Sequence, residues 1–322
     1  MLCSSACSAC PGSERTAAGP YPYTDCLTLP VNTGKIAQPP GLGLRLEGRT
    51  LRLYGVTGPL QLAAFAGPAP GRLTAEVELL AAQKVDVALM LGGAGDALAT
   101  VRETFAALSS LPFPTLVLPG GRDRLPWLAQ ARAELPEGRR ERIVLLVGVR
   151  ELLLGRDGFV IVPGVQGGRY GLDQEVCGYA ADQLEDLAGE YEPPVAGGSR
   201  WLLSWEAPVG GVARTHGGVD VGNRALAQFA RQVGAQGGLF AWPVVRAMTP
   251  VNGQGQGPLA VGDQARDLYL TVPRLGGPAL ERSDGSRVPA GVAILQLAGG
   301  RLRWVGPQWA STVSPLDTNQ GS

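Results

Sequence analysis

The segment LVLPGGRD, residues 116–123, determines how the first half of this chain must fold. Three apolar residues are followed by a Pro-Gly-Gly turn, and the turn leads to Arg122 and Asp123. Such a turn ends a strand, because proline lacks the N–H donor and glycine accepts the backbone angles of a tight turn. Loops held by a rigid scaffold often carry function. The sequence therefore predicts a functional loop, or the remains of one, at the end of a buried strand.

Strand and helix patterns alternate on both sides of this turn. Helical spacing precedes and follows it at 71–83, 95–111 and 124–135, and strand patterns occur at 51–57, 85–91 and 114–119. Strands that alternate with helices of this length indicate an α/β fold with parallel pairing.

The second half of the chain continues with a different mixture of elements. Helical patterns occur at 181–191 and 222–234, and the remaining periodic segments are short strands, the last two joined by Gly299 and Gly300. This order predicts one α/β domain over residues 43–310. Residues 1–42 are rich in Pro, Gly and Ser and read as a flexible tail or linker, and residues 311–322 read as a disordered tail.

Composition excludes several classes of function. Hydrophobic residues make up 45% of the chain and the formal net charge is zero, so nothing favours binding to nucleic acid. No apolar run reaches the ~20 residues of a transmembrane segment. By default we expect a cytoplasmic protein. The Cys-containing start MLCSSACSAC, followed by a linker, also resembles a mature bacterial lipoprotein, so a lipid anchor and export stay open as the alternative.

The cysteines suggest a cofactor only by their spacing. Cys3, Cys7 and Cys10 have the C-x3-C-x2-C spacing of a radical SAM iron–sulfur motif, but they lie at the extreme N-terminus rather than after a strand. We therefore expect no cofactor. Cys26 and Cys177 are far apart in the sequence, and an odd total of five cysteines predicts no disulfide framework.

The order of the loops resembles that of the calcineurin-like metallophosphoesterases over about residues 50–306. GGRD (120–123) stands in the place of a Gly-Asn-His-Asp motif, and LMLGGAGD (89–96) in that of a strand ending in Gly-Asp. LLSWEAP (202–208) matches a strand that ends in a histidine ligand, and FAWPVV (240–245) a Gly-His-x-His motif. GVTGPLQ (55–61) occupies the place of the first motif, Asp-x-His.

This resemblance implies a four-layer α/β/β/α sandwich of two mixed sheets, with two metal ions at the strand ends. The positions that would hold the metals carry other residues here, namely Gly58, Leu60, Gly93, Gly121, Trp205, Trp242 and Val244. The whole chain has one histidine, His216, whereas such a site is rich in imidazole ligands. Arg122 cannot replace a proton-donating histidine, because guanidinium does not deprotonate in proteins. The sequence therefore predicts no metal and no catalysis by the family's route.

Two enzymatic alternatives stay open. A diverged phosphoesterase or hydrolase could bind a single metal through Asp96, Asp123 and Glu206, or use other non-standard residues. A Ser-His-Asp arrangement would need His216 beside a serine, for which Ser204 is the best placed candidate.

Side chains that remain at the expected site allow two interpretations. They are Asp96, Arg122, Asp123, Trp205, Glu206 and Trp242. They could form a ligand or partner site, in which the tryptophans provide contact area and the charges orient the partner. The interpretation that we favour is a cleft filled with apolar side chains, with Arg122 paired to an acid. We expect a catalytically inactive protein that serves binding, assembly or regulation, with another protein as its partner, or a purely structural subunit.

Overall fold

The computed structural model describes residues 23–39, 41–67, 73–167, 174–192, 194, 197–215, 218–242, 249–252, 259–276, 279–281 and 286–309. Two seven-stranded sheets pack face to face, and helices cover parts of both outer faces. Both sheets contain parallel and antiparallel pairs. The predicted four-layer α/β/β/α sandwich of two mixed sheets is confirmed.

The strands follow in chain order. They are β1 (Thr24–Asp25), β2 (Gly43–Glu47), β3 (Thr50–Tyr54), β4 (Leu60–Phe65), β5 (Val87–Leu91), β6 (Thr115–Leu118), β7 (Ile143–Leu145), β8 (Glu151–Leu154), β9 (Asp157–Val162), β10 (Val165–Gln166), β11 (Cys177–Tyr179), β12 (Arg200–Glu206), β13 (Gly237–Trp242), β14 (Gln264–Ala265), β15 (Tyr269–Thr271), β16 (Leu280–Glu281), β17 (Arg287–Val288), β18 (Gly291–Ala298) and β19 (Arg301–Trp309).

Most helices lie in the outer layers. They are α1 (Leu73–Ala81), α2 (Leu98–Leu108), α3 (Leu125–Ala133), the one-turn α4 (Glu137–Arg140), α5 (Ala181–Ala188), a 3-10 turn (Gly211–Ala213) and α6 (Arg224–Gln232). Within the part of the chain that the structure describes, no helix is long and apolar enough to cross a membrane.

The first sheet has the strand order β14-β19-β18-β4-β5-β6-β7 and contains the segment quoted above as β6. Its strands β4 to β7 are parallel to one another, so their carboxyl ends lie at one edge. Strand β5 is buried along its whole length, which explains its unbroken apolar sequence VALML. Helices α1, α2 and α3 pack on the outer face through residues such as Leu80, Phe105 and Leu128.

The second sheet has the strand order β15-β13-β12-β9-β8-β3-β2. Strands β9, β12, β13 and β15 are parallel, and β8 turns back against β9 as the predicted hairpin. Helices α5 and α6 cover its outer face through Leu187, Leu226 and Phe229. Between the two sheets lies the largest apolar core, which includes Leu89 and Leu116 of the first sheet and Leu203 of the second.

The N-terminal region differs from the prediction. Strand β1 pairs with β11, and Cys26 forms a disulfide with Cys177 although 151 positions separate them. Arg49 donates hydrogen bonds to the carbonyl oxygens of Leu27 and Thr28. The predicted tail therefore does not extend over residues 23–39, which are bonded to the domain, and the Cys26–Cys177 disulfide is one that the cysteine count did not predict. Cys3, Cys7, Cys10 and residues 311–322 lie outside the described residues.

Candidate functional site

The expected site lies where the carboxyl ends of strands from both sheets meet. The turns after β4, β5 and β6 are bonded to one another: Gly67 N–H donates to Gly92 O at 2.7 Å, and Gly92 N–H donates to Leu118 O at 2.8 Å. Gly164 N–H, after β9 of the second sheet, donates to Pro119 O at 2.7 Å. The two sheets therefore present their turns to one common cleft.

One part of the sequence-based mapping is wrong. Gly58 and Leu60 were expected at the site, but Gly58 precedes β4 and Leu60 is its first residue, buried in the core between the sheets. Because β4 is parallel to β5, both residues lie at the amino edge, across the sheet from the turns. The turn at the carboxyl end of β4 contains Ala66 and Gly67 instead, so Gly67 occupies the place of the first metal-binding motif.

Trp205 fills the space in front of three glycines. A Cβ atom placed on Gly120 would lie 2.2 Å from Trp205 Cδ1, one on Gly92 would lie 2.5 Å from the same atom, and one on Gly121 would lie 2.6 Å from Trp205 Cζ2. Each distance is far shorter than a van der Waals contact. The indole therefore occupies the volume into which side chains at these positions would project, and the glycines are required for it to fit.

A fourth contact closes the same cleft from the side of β4. A Cβ atom on Gly67 would lie 1.8 Å from the carbonyl oxygen of Gly93, so the two turns touch through their backbones. Gly93 itself has a φ of 76°, which favours glycine. No side chain can extend from Gly67 toward the cleft while this backbone contact persists.

Trp242 lies on the solvent side of Trp205. Its ring stacks on that of Trp205 with a centroid separation of 5.8 Å and an interplanar angle of 3°. Trp205 is half-buried against the core between the sheets, whereas Trp242 is 39% exposed. Val244, the last of the positions predicted from the motifs, lies outside the described residues. The cleft is thus filled by a tryptophan pair whose outer member faces solvent.

Asp123 is buried beneath the turns rather than exposed in the cleft. Its carboxylate accepts hydrogen bonds from the N–H groups of Gly93 and Ala94 at 2.8 Å and of Gly120 at 3.0 Å. Burial raises the pKa of Asp123 to about 6, and these three N–H donors offset part of the increase. The residue therefore holds the turns after β5 and β6 together, and its side chain is buried away from solvent.

Two of the predicted charged residues are exposed. Asp96 follows β5 and Arg122 follows β6, and both are exposed. Neither side chain makes a hydrogen bond or an ion pair with any residue that the structure describes. The expected pairing of Arg122 with an acid is therefore wrong within the described residues, and both charges are available to solvent.

Glu206 belongs to a buried network on the other face of β12. Glu206 Oε2 accepts three hydrogen bonds, from Tyr179 Oη at 2.7 Å, from Gln166 N–H at 2.8 Å and from Asn223 Nδ2 at 3.0 Å. Asn223 also begins α6, where its side chain accepts a hydrogen bond from Leu226 N–H. Successive residues of a strand face opposite ways, so Glu206 points toward the helices while Trp205 points into the cleft.

These positions do not fit a metal ion. The cleft offers glycine Cα atoms and an indole where carboxylate and imidazole ligands would be needed. Asp96, Asp123 and Glu206 do not converge, and within the described residues no group of three His, Cys, Asp or Glu side chains could hold an ion. Ser204 donates its hydroxyl to Glu206 O at 2.6 Å, and His216 lies outside the described residues.

Sequence reasoning missed the residues that shape the cleft. Gly67, Gly92 and Gly120 matter because other atoms approach them closely, and the paired glycines after β5 and β6 were the visible signal of that approach. The Tyr179–Glu206–Asn223 network had no signal, because its members come from three distant segments.

Comparisons with known proteins bear on the fold. No family model matches the sequence, and no curated protein matches it. One solved crystal structure aligns with 79% of this chain and 100% of its own, at a TM-score of 0.51 and 13% identity. GAP50, the anchor in the inner membrane complex of Plasmodium, aligns with 80% of this chain and 87% of its own, at a TM-score of 0.50 and 9% identity. TT1561 of Thermus thermophilus aligns with 78% of this chain and 99% of its own, at a TM-score of 0.47 and 14% identity. The first two likenesses show the fold alone, a metallophosphoesterase-like sandwich of two mixed sheets.

Proposed function

We propose that this chain is a catalytically inactive metallophosphoesterase-like protein that acts by binding another protein. The observation that carries the proposal is the indole of Trp205, which lies within van der Waals contact of three glycines in the cleft. A two-metal hydrolase must hold its ions ~3.5–4 Å apart with several anionic or imidazole ligands. Glycine has no side chain, and the indole offers one N–H donor and no lone pair for a metal.

The exposed face of the tryptophan pair is the surface that we expect the partner to contact. Trp242 is held rigid by its stacking on Trp205, so little conformational entropy is lost when it is covered. Tryptophan anchors of this kind are enriched among the residues that dominate binding energy. Asp96 and Arg122 lie at the same edge and can orient a partner of complementary charge. GAP50 offers an example of a protein of this fold that is described as an anchor.

Metal content tests the loss of catalysis. The purified protein is incubated with Mn²⁺, desalted and measured by plasma mass spectrometry, together with a Trp205→Ala variant. We expect less than about a tenth of an ion per chain in both proteins, because removing the indole opens space but restores no ligand. Neither protein should hydrolyse bis(p-nitrophenyl) phosphate. Stoichiometric metal in the wild type, or turnover above the buffer rate, would contradict the proposal.

Affinity capture from an extract of the source organism tests the binding role. Trp242→Ala is compared with Tyr54→Ala, because both side chains are 39% exposed and only Trp242 lies at the cleft. We expect one specific protein to bind the wild type and Tyr54→Ala, and to bind Trp242→Ala at least about thirtyfold more weakly, the loss that a hot-spot residue gives. Equal capture by all three proteins would place the interaction elsewhere.

A further inference from the structure

We propose that two copies of this chain associate through β2, the edge strand of the second sheet, and form a weak symmetric dimer. In the strand order of that sheet, β2 (Gly43–Glu47) has a neighbouring strand on one side only. An unpaired strand edge is a template for pairing with another chain. Trp242 lies on β13, near the opposite edge of the same sheet, so the proposal does not depend on the function proposed above.

The outer side of β2 has backbone groups available for a second strand. Along β2, the N–H and C=O groups of successive residues point alternately toward β3 and away from it. The side-chain amide of Gln38 shows that Leu44 points away, because Gln38 Nε2 donates to Leu44 O at 3.0 Å and Gln38 Oε1 accepts from Leu44 N–H. Leu46, two residues further on, therefore also points away. Neither its N–H nor its C=O has a hydrogen-bond partner among the residues that the structure describes.

The space beside this edge is open. A groove of 410 Å³ lies between β2 and the segment 31–36. Val31, Ile36 and Leu46 line it as half-buried apolar side chains. A strand placed in the groove would remove their exposed area from water, which is favourable. In a twofold arrangement, β2 of each copy lies in the groove of the other copy.

The charges on β2 select one register for this pairing. In an antiparallel arrangement, Leu46 lies opposite position 44, 46 or 48 of the second copy, because only alternate residues point outward. The first register places Arg45 opposite Arg45, and the third places Glu47 opposite Glu47, and like charges directly opposite each other are unfavourable. The middle register places Arg45 of each copy opposite Glu47 of the other. There the two copies of Leu46 also exchange a pair of N–H···O bonds.

Both charged side chains can make this contact. Arg45 is exposed and forms no ion pair within the described part of the chain, where its guanidinium lies 6.0 Å from the Tyr54 ring. Glu47 accepts from Arg52 Nε at 3.2 Å and from Tyr54 Oη. Its side chain is still 49% exposed, and each carboxylate oxygen has a second lone pair. Because the paired strands are short, the interface belongs to the small, weakly associating class.

Sedimentation velocity of the full chain tests the dimer. Protein concentrations of about 1–300 μM cover the range in which small interfaces dissociate. We expect the sedimentation coefficient to rise with concentration toward that of a dimer. A monomer at every concentration would overturn the proposal and leave the groove to an extended segment of another protein.

Two charge reversals test the register. Arg45→Glu places acidic side chains opposite each other at both contacts, and Glu47→Arg places basic ones opposite each other, so each variant should self-associate at least about tenfold more weakly than the wild type. An equimolar mixture should form a heterodimer of about wild-type affinity, because every acidic side chain then lies opposite a basic one. Self-association of either variant at wild-type strength, or a mixture that stays monomeric, would overturn the proposal.

Leu46→Pro tests the backbone pairing. It removes the outward N–H and no bond to β3, and Leu46→Ala is the control because it keeps the N–H while shortening the side chain. The proline variant should dimerise at least about fivefold more weakly than the alanine variant, since a hydrogen bond is lost from each copy. Equal dimerisation of the two variants would contradict the pairing. Should the proline variant not fold, the charge reversals on exposed side chains still decide the question.

Discussion

Trp205 and the glycines around it form one unit at the scale of single residues. The indole fits because Gly92, Gly120 and Gly121 carry no side chains, and the glycines leave no void because the indole is there. Packing at native density makes each member depend on the other. Substitutions here should therefore be strongly non-additive.

A double-mutant cycle measures this dependence. Gly120 does not have a left-handed φ, so Gly120→Ala should destabilise the protein only through its clash with Trp205, by about 1–3 kcal/mol. In a Trp205→Gly background the same substitution should cost almost nothing, because the clashing Cδ1, Cγ and Cβ atoms of Trp205 are all gone. Urea unfolding gives the four free energies.

Gly138→Ala in α4 is the matched control, since a Cβ there meets no atom within 4 Å. It should be neutral or stabilising by up to about 1 kcal/mol. If Gly120→Ala is equally destabilising with and without the indole, the contact between them does not determine the packing.

Asp123 gives a prediction of pH dependence. Its pKa is about 6 in the folded protein and near the ordinary value of 3.8 in the unfolded chain. Between those values the folded state binds the extra proton, so the contribution of Asp123 to the free energy of unfolding falls as pH rises from about 4 to 6, by up to about 3 kcal/mol. Above about pH 7 it should stay constant, because Asp123 is then ionised in both states.

The measurement is the free energy of unfolding of the wild type minus that of Asp123→Asn, taken from pH 4 to 8. The subtraction removes the other titrating groups, because the variant lacks only this one. A difference that rises with pH would mean that the three N–H donors keep the pKa of Asp123 below its usual range.

At the scale of elements, most of the fold could be predicted and two pairings could not. Helices α2, α3, α5 and α6 lie within their predicted ranges, because apolar spacing reports a buried face. The strand pattern at 51–57 predicts β3, but no strand is predicted over residues 60–65, where β4 lies. The first metal motif was therefore placed before β4 instead of after it. Pairing of β1 with β11 across some 150 residues likewise leaves no local pattern.

The Cys26–Cys177 disulfide should stabilise the junction of β1 with β11. A crosslink over so long a loop restricts the unfolded chain, and we expect the Cys26→Ser, Cys177→Ser double variant to lose about 2–4 kcal/mol. Thermal unfolding with and without dithiothreitol tests this, because the reductant should lower the melting temperature of the wild type and leave the variant unchanged. Equal stability of the two proteins without reductant would show that the crosslink contributes nothing.

At the scale of the whole molecule, the two sheets share a single core. Leucines from both sheets pack together in it, and neither sheet could keep its inner face buried alone. The chain from residue 23 to residue 309 should therefore behave as one domain.

Calorimetry tests this arrangement. We expect a single thermal transition whose calorimetric enthalpy equals the van't Hoff enthalpy, because separating the sheets exposes the core of both. Two transitions, or a calorimetric enthalpy well above the van't Hoff value, would show that the sheets unfold separately.

The close contacts in the cleft also restrict how substitutions could introduce metal ligands there. Any side chain at position 92, 120 or 121 collides with Trp205, and one at position 67 collides with the backbone of Gly93. Shortening Trp205 first leaves a void and supplies no ligand, while adding a ligand first creates a clash. Either single substitution should therefore lower the free energy of unfolding without completing a ligand set, so opening this cleft to a metal takes several simultaneous changes.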